Sequence, residues 1–160
     1  MSTDDLLAEL VEVLDEELER MATLRFRLTV LGSLMATDQS PWLERSVRDL
    51  EFASAQLRLA DLRRATATVG LIDEYELRED ARLEDIAAQA DQAWGELLLE
   101  RRIRLLEEMA GVSRLVDTTA AAAGSRTTLV QEALKFLRND TGTDYGQRRR
   151  ATPRLVEGSM

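Results

Sequence analysis

Apolar residues repeat every seven positions through the first 35 residues, and this repeat constrains the fold more than any other feature of the chain. One set of heptad positions holds Leu7, Leu14, Met21, Leu28 and Met35. Three residues further on, the second set holds leucine in three of four repeats, with Glu17 as the exception. The spacing predicts one amphipathic helix from about residue 3 to 36, about 50 Å long at the usual rise per residue. A helix of this length needs partner helices, because local contacts alone do not stabilise it.

A short loop predicts where a second helix begins and in which direction it runs. The stretch "ATDQSPW" contains Ser40, a natural N-cap, and Pro41, a natural first helical residue. Because the loop is short, the second helix should run antiparallel to the first. We expect Gly70 to end this helix in the left-handed C-cap conformation, and Trp42 to plug the end of the bundle.

A third apolar stripe predicts a helix from about residue 81 to about Arg138. It is either continuous or broken near Gly111 or Gly124, and the sequence leaves both alternatives open. Aromatic residues make up only 4% of the chain and charged residues 32%, a mixture typical of long amphipathic helices. The predicted fold is all-α, an elongated coiled-coil-like bundle of three main antiparallel helices. Residues 1–138 form its helical domain and residues 139–160 a flexible basic tail.

Charge and missing residue types exclude several classes of function. A net charge of −9 argues against a nucleic-acid binder, which needs a basic surface to displace counterions from phosphate. The chain has no histidine and no cysteine, so Ser-His-Asp and Cys-His nucleophiles and disulfides are excluded. Its one lysine, Lys135, is not part of a phosphate-binding glycine loop. We therefore expect neither enzymatic activity nor a cofactor.

Hydropathy predicts the compartment. No window approaches the roughly 18 uncharged apolar residues of a membrane span. The acidic start "MSTDDLLAEL" lacks the basic and apolar regions of a signal peptide. We expect a cytoplasmic protein that does not insert into a membrane.

Two acidic stretches leave a metal-dependent hydrolase as a minor alternative. "DEELER" and "YELREDARLEDI" could offer carboxylates to a divalent cation, as paired glutamates do in all-α pyrophosphatases. The acids fall mostly on the outer faces of the predicted helices, and no second matching pair follows downstream. A solvated face is therefore the preferred interpretation, and no metal site is predicted.

The order of elements resembles the FlgN family of flagellar type III export chaperones. The long heptad helix ("LLAELVEVLDEELERMATLRFRLTVLGSLM") is followed by a Leu/Arg-rich helix ("WLERSVRDLEFASAQLRLADLRRA") and an acidic connector. A long C-terminal helix ("LLLERRIRLLEEMAGVSRLVDTTAAAAGSRTTLVQEALKFLR") and a tail with tyrosine beside glycine ("DTGTDYGQRRR") complete the match. The resemblance implies a cytoplasmic chaperone that holds the disordered terminal segment of the hook–filament junction proteins FlgK and FlgL. It also implies delivery of these clients to the export gate protein FlhA, with Tyr145 in the tail as the gate-docking residue.

The stretch "TTAAAAGSRTTLVQEALKFL" at 118–137 is the predicted client site, because its small side chains let a second helix come close. One interpretation is a tight internal crossing against the first or second helix. The other is a groove, partly open in the free protein, that accepts an amphipathic client helix. The predicted client-binding residues are Val116, Thr119, Ala123, Arg126, Val130, Ala133 and Leu137.

A structural or signalling coiled-coil protein is the alternative from another functional class. Exposed seams can be satisfied by self-association as easily as by a client. In that case the chain forms a homodimer and has no secretion client.

Overall fold

The computed structural model describes residues 1–37, 40–124 and 128–142. These residues contain no strand and form five helices, which confirms the all-α prediction. The helices are α1 (Thr3–Ala36), α2 (Ser40–Glu74), α3 (Leu83–Gln89), α4 (Gln92–Ala123) and α5 (Thr128–Gly142).

Side-chain contacts fix the directions of the three long helices. Thr3 at the start of α1 donates to the Glu74 carboxylate at the end of α2 (2.8 Å), so these helices are antiparallel. Trp94 near the start of α4 donates to Asp4 of α1 (3.1 Å), so α4 runs parallel to α1. α2 and α4 each pack on α1 rather than on each other. α1 is therefore the central helix of the bundle.

The heptad repeat of α1 forms the centre of the core, as predicted. Both sets of heptad positions are buried, apart from Met35, which is half-buried. These heptad positions are called the α1 seam. Glu17 is the one polar residue in the seam, and it is fully buried (0% exposed), so it faces the core like the apolar residues around it. The buried residues of α1 are Leu7, Leu10, Leu14, Glu17, Leu18, Met21, Leu24, Leu28 and Leu31.

Two short helices complete the core at opposite ends of the bundle. α3 contacts α2 and α4, and its Ile86 belongs to one core cluster together with Leu14 of α1. α5 also contacts α2 and α4, and its Leu134 belongs to a second core cluster together with Leu28 of α1. Each core cluster is thus covered at its end of the bundle by one short helix.

The predicted end of α2 at Gly70 is wrong. The helix continues to Glu74 because Leu71 and Ile72 are buried against the core and hold the extra turn in place. The left-handed residue is Glu76 (φ 52°). The amide of Leu77 then donates to the carbonyl oxygen of Ile72 (2.9 Å), as in a Schellman motif.

The predicted start of the third helix near residue 81 is only partly right, because the helix is interrupted. α3 ends at an extended residue, Ala90, and Asp91 then caps α4 by accepting from the Trp94 amide (3.1 Å). Gly95 permits the close crossing that follows. A Cβ there would lie 2.7 Å from the carbonyl oxygen of Ala87.

The long C-terminal helix is broken at Gly124 and continuous through Gly111. Gly124 ends α4 with a positive φ of 53°, which favours glycine. α5 extends to Gly142, four residues past the predicted domain boundary at 138. Residues 143–160, most of the predicted tail, lie outside the described residues.

The two tryptophans lie at opposite ends of the bundle. Trp42 is 58% exposed, so the prediction that it plugs the bundle is wrong. α5 contributes the apolar side chains at that end instead. Trp94 is half-buried against the other end of the core.

Candidate functional site

Six of the seven predicted client-binding residues are described by the structure, and all six are buried. Val116, Thr119 and Ala123 are on α4 and are 2–4% exposed. On α5, the predicted residues are 1–7% exposed: Val130, Ala133 and Leu137. The five apolar members belong to one core cluster with residues of α1 and α2. Arg126 and the predicted gate-docking residue Tyr145 lie outside the described residues.

The small side chains of this stretch therefore form an internal crossing. The structure brings the two halves of the stretch together as the antiparallel helices α4 and α5, which contact each other directly. The partly open groove expected for the free protein is closed in this structure. Client binding by these residues stays a prediction, and it now requires α4 and α5 to separate.

Polar contacts at the outer edge hold α5 against α4. The side-chain amide of Gln131 donates to the carbonyl oxygens of Ala120 (3.0 Å) and Gly124 (2.6 Å). Ala120 lies in the last turn of α4, and its carbonyl oxygen also accepts from the amide of Gly124 (3.3 Å), the C-cap residue. Arg138 pairs with Asp117 further along (3.0 Å), with both side chains more than half exposed. Such exposed pairs contribute little to stability. The hydrogen bonds of Gln131 therefore contribute more to holding α5 on α4 than the Arg138–Asp117 pair does.

The opposite flank of α5 meets α2 through an aromatic contact. The guanidinium of Arg58 lies 4.8 Å from the ring centroid of Phe136, a distance suited to a cation–π interaction. Phe136 and Leu129 remain about half exposed. From Thr128 to Arg138, α5 thus buries one apolar face and leaves Leu129 and Phe136 half exposed.

Glu17, which is fully buried, forms an ion pair between α1 and α2 with Arg64, whose side chain is 24% exposed. The distance from Arg64 Nε to Glu17 Oε2 is 3.4 Å, and Arg64 also pairs with Asp61 one turn earlier in α2. Glu17 interrupts the apolar α1 seam at a single position. A polar residue at one such position fixes the register of neighbouring helices. The pair therefore links α1 to α2 at the one polar position of the seam.

One ionisable group at the α3 end has a shifted pKa with clear causes. Burial raises the pKa of Tyr75, and the nearby carboxylates of Asp91, Asp4 and Glu74 raise it further. Each of these effects disfavours the phenolate. Tyr75 is therefore held as the neutral phenol at neutral pH.

The sequence reasoning missed an exposed apolar stripe on α2. Leu59, Leu62 and Val69 are exposed on the side of α2 away from α1. Phe52 continues this stripe at the edge of a cleft that it lines together with α1 residues. Their heptad spacing was visible in the sequence. The stronger stripe of Val47, Leu50 and their neighbours, which packs on α1, drew the helix assignment instead.

The described residues form neither a metal-binding cluster nor a membrane-spanning helix. No cluster of three or more acidic side chains in residues 1–37, 40–124 and 128–142 is arranged to hold a metal ion. None of the five helices, so far as they are described, combines the length and apolarity needed to cross a membrane.

Comparison with known proteins gives no relative. No protein-family model, curated protein or solved structure matches the chain.

Proposed function

We propose that this chain is a cytoplasmic export chaperone of the FlgN type. It would bind the disordered terminal segment of hook–filament junction proteins of the FlgK and FlgL type and deliver them to the export gate protein FlhA. The observation that carries this proposal is the position of α5. This helix buries a single apolar face in the groove that α2 and α4 form over α1.

The packing of α5 has the geometry of helix-in-groove recognition. In that mode an amphipathic helix places residues spaced by three or four positions into an apolar groove. Val130, Ala133, Leu134 and Leu137 follow this spacing and are buried. A client helix of similar pattern would therefore find a surface of the right chemistry once α5 moved away.

Gly124 gives the pair a place to open. Its positive φ separates α4 from α5, and hinges are often a few residues at the ends of helices. Rotation of α5 about Gly124 would expose Val116, Thr119 and Ala123 on one wall of the groove. Val130, Ala133 and Leu137 would form the other wall. The client would then contact the residues that the sequence predicts, although they are buried in the closed form.

The closed form also explains how a client could be released. Opening costs free energy, and the apparent affinity for a client falls by the fraction of molecules that are open. Ordering of the client segment costs several kcal/mol more. Return of α5 to its groove would recover the opening cost and help expel the client at the gate.

The test is titration of the purified chain with a peptide of the C-terminal segment of the FlgK-type protein from the same organism. We expect a one-to-one complex by calorimetry, with more helical circular dichroism than the sum of the free components. A control peptide with its apolar residues replaced by serine should not bind. Failure of both FlgK-type and FlgL-type segments to bind would contradict the proposed function.

Gate delivery is tested separately with the cytoplasmic domain of FlhA. Tyr145→Ala should weaken binding to FlhA and leave the affinity for the client peptide unchanged. Equal FlhA affinity in the wild type and the variant would remove Tyr145 from the proposal.

A further inference from the structure

α2 carries a second apolar stripe, most of it on the side opposite its contact with α1; Phe52, at its start, borders a cleft shared with α1. Phe52, Leu59, Leu62 and Val69 are 49–67% exposed. With Ala55 and Thr66 between them, they fill positions that alternate by three and four residues from 52 to 69. This spacing defines a coiled-coil seam, here called the α2 seam. Contiguous exposed apolar surface on a protein often marks an interaction site.

The α2 seam ends in opposite charges. Arg48 lies four residues before Phe52, and Asp73 lies four residues after Val69, so both continue the heptad pattern. Arg48 pairs with Glu44 on its own helix (3.2 Å), and both side chains are about 70% exposed. Asp73 is exposed in the last turn of α2, where the helix macrodipole disfavours a negative charge. A partner with a positive charge at that point would remove this disadvantage.

We propose that the α2 seam is the interface with a second copy of this chain, paired antiparallel about a two-fold axis. The axis passes between positions 60 and 61. In this register Phe52 meets the second copy's Val69, and Leu59 meets the second copy's Leu62. Arg48 then meets the second copy's Asp73, once at each end of the interface.

The self-complementary register is the reason for choosing a second copy as the occupant. A two-fold interface requires one patch to match itself in reverse, and both the apolar positions and the end charges of the α2 seam do so. A parallel pair would instead place Arg48 against Arg48 and Asp73 against Asp73. Antiparallel pairing therefore satisfies the charges that parallel pairing would oppose.

A matched control surface lies on α4. Leu99, Ile103 and Leu106 are also 42–54% exposed at helical spacing, but this stripe spans only residues 99–106. The α2 seam shares no residue with the predicted client site, so separate variants test dimerisation and client binding.

Sedimentation velocity over a concentration series tests the interface. We expect the wild type to dimerise. The double variant Leu59→Glu/Leu62→Glu should raise the dissociation constant of the dimer at least tenfold, because it places carboxylates at apolar positions that pair across the axis. The control Ile103→Glu/Leu106→Glu should dimerise like the wild type. Circular dichroism checks the folding of both variants, whose substituted side chains are all exposed.

Charge reversal at the ends tests the antiparallel register. At low ionic strength, Arg48→Asp alone and Asp73→Arg alone should each weaken the dimer several-fold, because like charges then meet at both ends. The double variant Arg48→Asp/Asp73→Arg should restore the wild-type affinity. A double variant no tighter than the single ones would overturn the register.

Three results would overturn the second copy as occupant. One is a wild type that stays monomeric at every concentration. Another is loss of FlgK-type peptide binding in Leu59→Glu/Leu62→Glu, which would make the α2 seam the client site. A cross-link in a monomeric molecule between the α2 seam and residues 143–160 would likewise assign the surface to the chain's own tail.

Discussion

Gln131 donates a 2.6 Å hydrogen bond to the carbonyl oxygen of Gly124, so α5 caps the end of the helix that precedes it. The same amide reaches Ala120 (3.0 Å). We expect Gln131→Ala to cost about 0.5–1.5 kcal/mol, the usual net contribution of a hydrogen bond. Amide hydrogen exchange should then speed up in α5, by up to about tenfold. The buried amides of α1 should exchange as in the wild type.

Gln92→Ala is the matched control for this prediction. Gln92 bonds only across one turn of α4, to Glu96 (3.0 Å), at an exposed position. Its loss should leave exchange in α5 unchanged. Equal protection of α5 in the wild type and Gln131→Ala would show that Gln131 does not clamp the crossing.

Gly95→Ala should destabilise the fold although alanine favours helix. The propensity gain is about 1 kcal/mol, but the new Cβ would lie 2.7 Å from the Ala87 carbonyl oxygen, which belongs to the backbone. Overpacking of this kind typically costs about 1–3 kcal/mol. Gly32→Ala, with nothing within 4 Å of its Cβ, should stabilise the protein by about 0.5–1 kcal/mol. Chemical denaturation compares the two variants, and a Gly95→Ala protein as stable as Gly32→Ala would contradict the crossing.

Arg64→Leu should lower the free energy of unfolding by about 3 kcal/mol. The substitution removes the arginine that pairs with the fully buried Glu17, and breaking a buried ion pair on one side is strongly destabilising. The double variant Glu17→Leu/Arg64→Leu should recover most of the loss. Arg63→Leu, which removes an exposed partner of Glu16, should cost less than about 1 kcal/mol. Similar losses for Arg63→Leu and Arg64→Leu in urea denaturation would argue against a stabilising Glu17–Arg64 pair.

The raised pKa of Tyr75 predicts that the folded protein loses stability at alkaline pH. The pKa of Tyr75 in the folded protein is raised above the ordinary value of 10.0, first by burial and then by Asp91, Asp4 and Glu74. The folded protein therefore holds this proton more tightly than the unfolded chain does. The resulting stabilisation is complete below about pH 10 and is lost as the pH rises through the folded pKa. Thermal melting at increasing pH should show this decline in the wild type and less of it in Tyr75→Phe; identical pH dependence would contradict the shift.

The central helix was predictable because its signal is local and repeated. A heptad of leucines fixes which face of α1 is buried, whatever the partner helices are. The same pattern even placed Glu17 inside the seam. Hydrophobic periodicity therefore gave the fold class and the core of α1 from sequence alone.

Helix ends were less predictable because they depend on contacts made elsewhere. Gly70 is a typical C-cap residue, but burial of Leu71 and Ile72 carries α2 one turn further. The break before α4 rests on Asp91, a good N-cap with no proline or glycine beside it. Gly124 was one of two possible breaks, and only the packing of α5 against α4 distinguishes it from Gly111.

The candidate site shows the same division between local and tertiary information. Small residues at Thr119, Ala123 and Ala133 indicate a close helix crossing, which the structure contains. The pattern did not reveal that both helices of the crossing come from this chain. That depends on the turn at Gly124, which folds the stretch back on itself.

The most direct test of the proposed function is to lock α4 to α5 and measure client binding. Asp117→Cys and Arg138→Cys place thiols at an exposed ion pair that links the two helices, in a chain with no other cysteine. A short bifunctional thiol reagent then closes the crossing. A control lock between α1 and α4 uses Arg25→Cys and Glu108→Cys, at a pair 2.9 Å apart. We predict that the first lock abolishes binding of the FlgK-type peptide, while the control lock and both unlinked variants still bind. Undiminished binding by the α4–α5 locked protein would contradict the opening of this crossing and the client site within it.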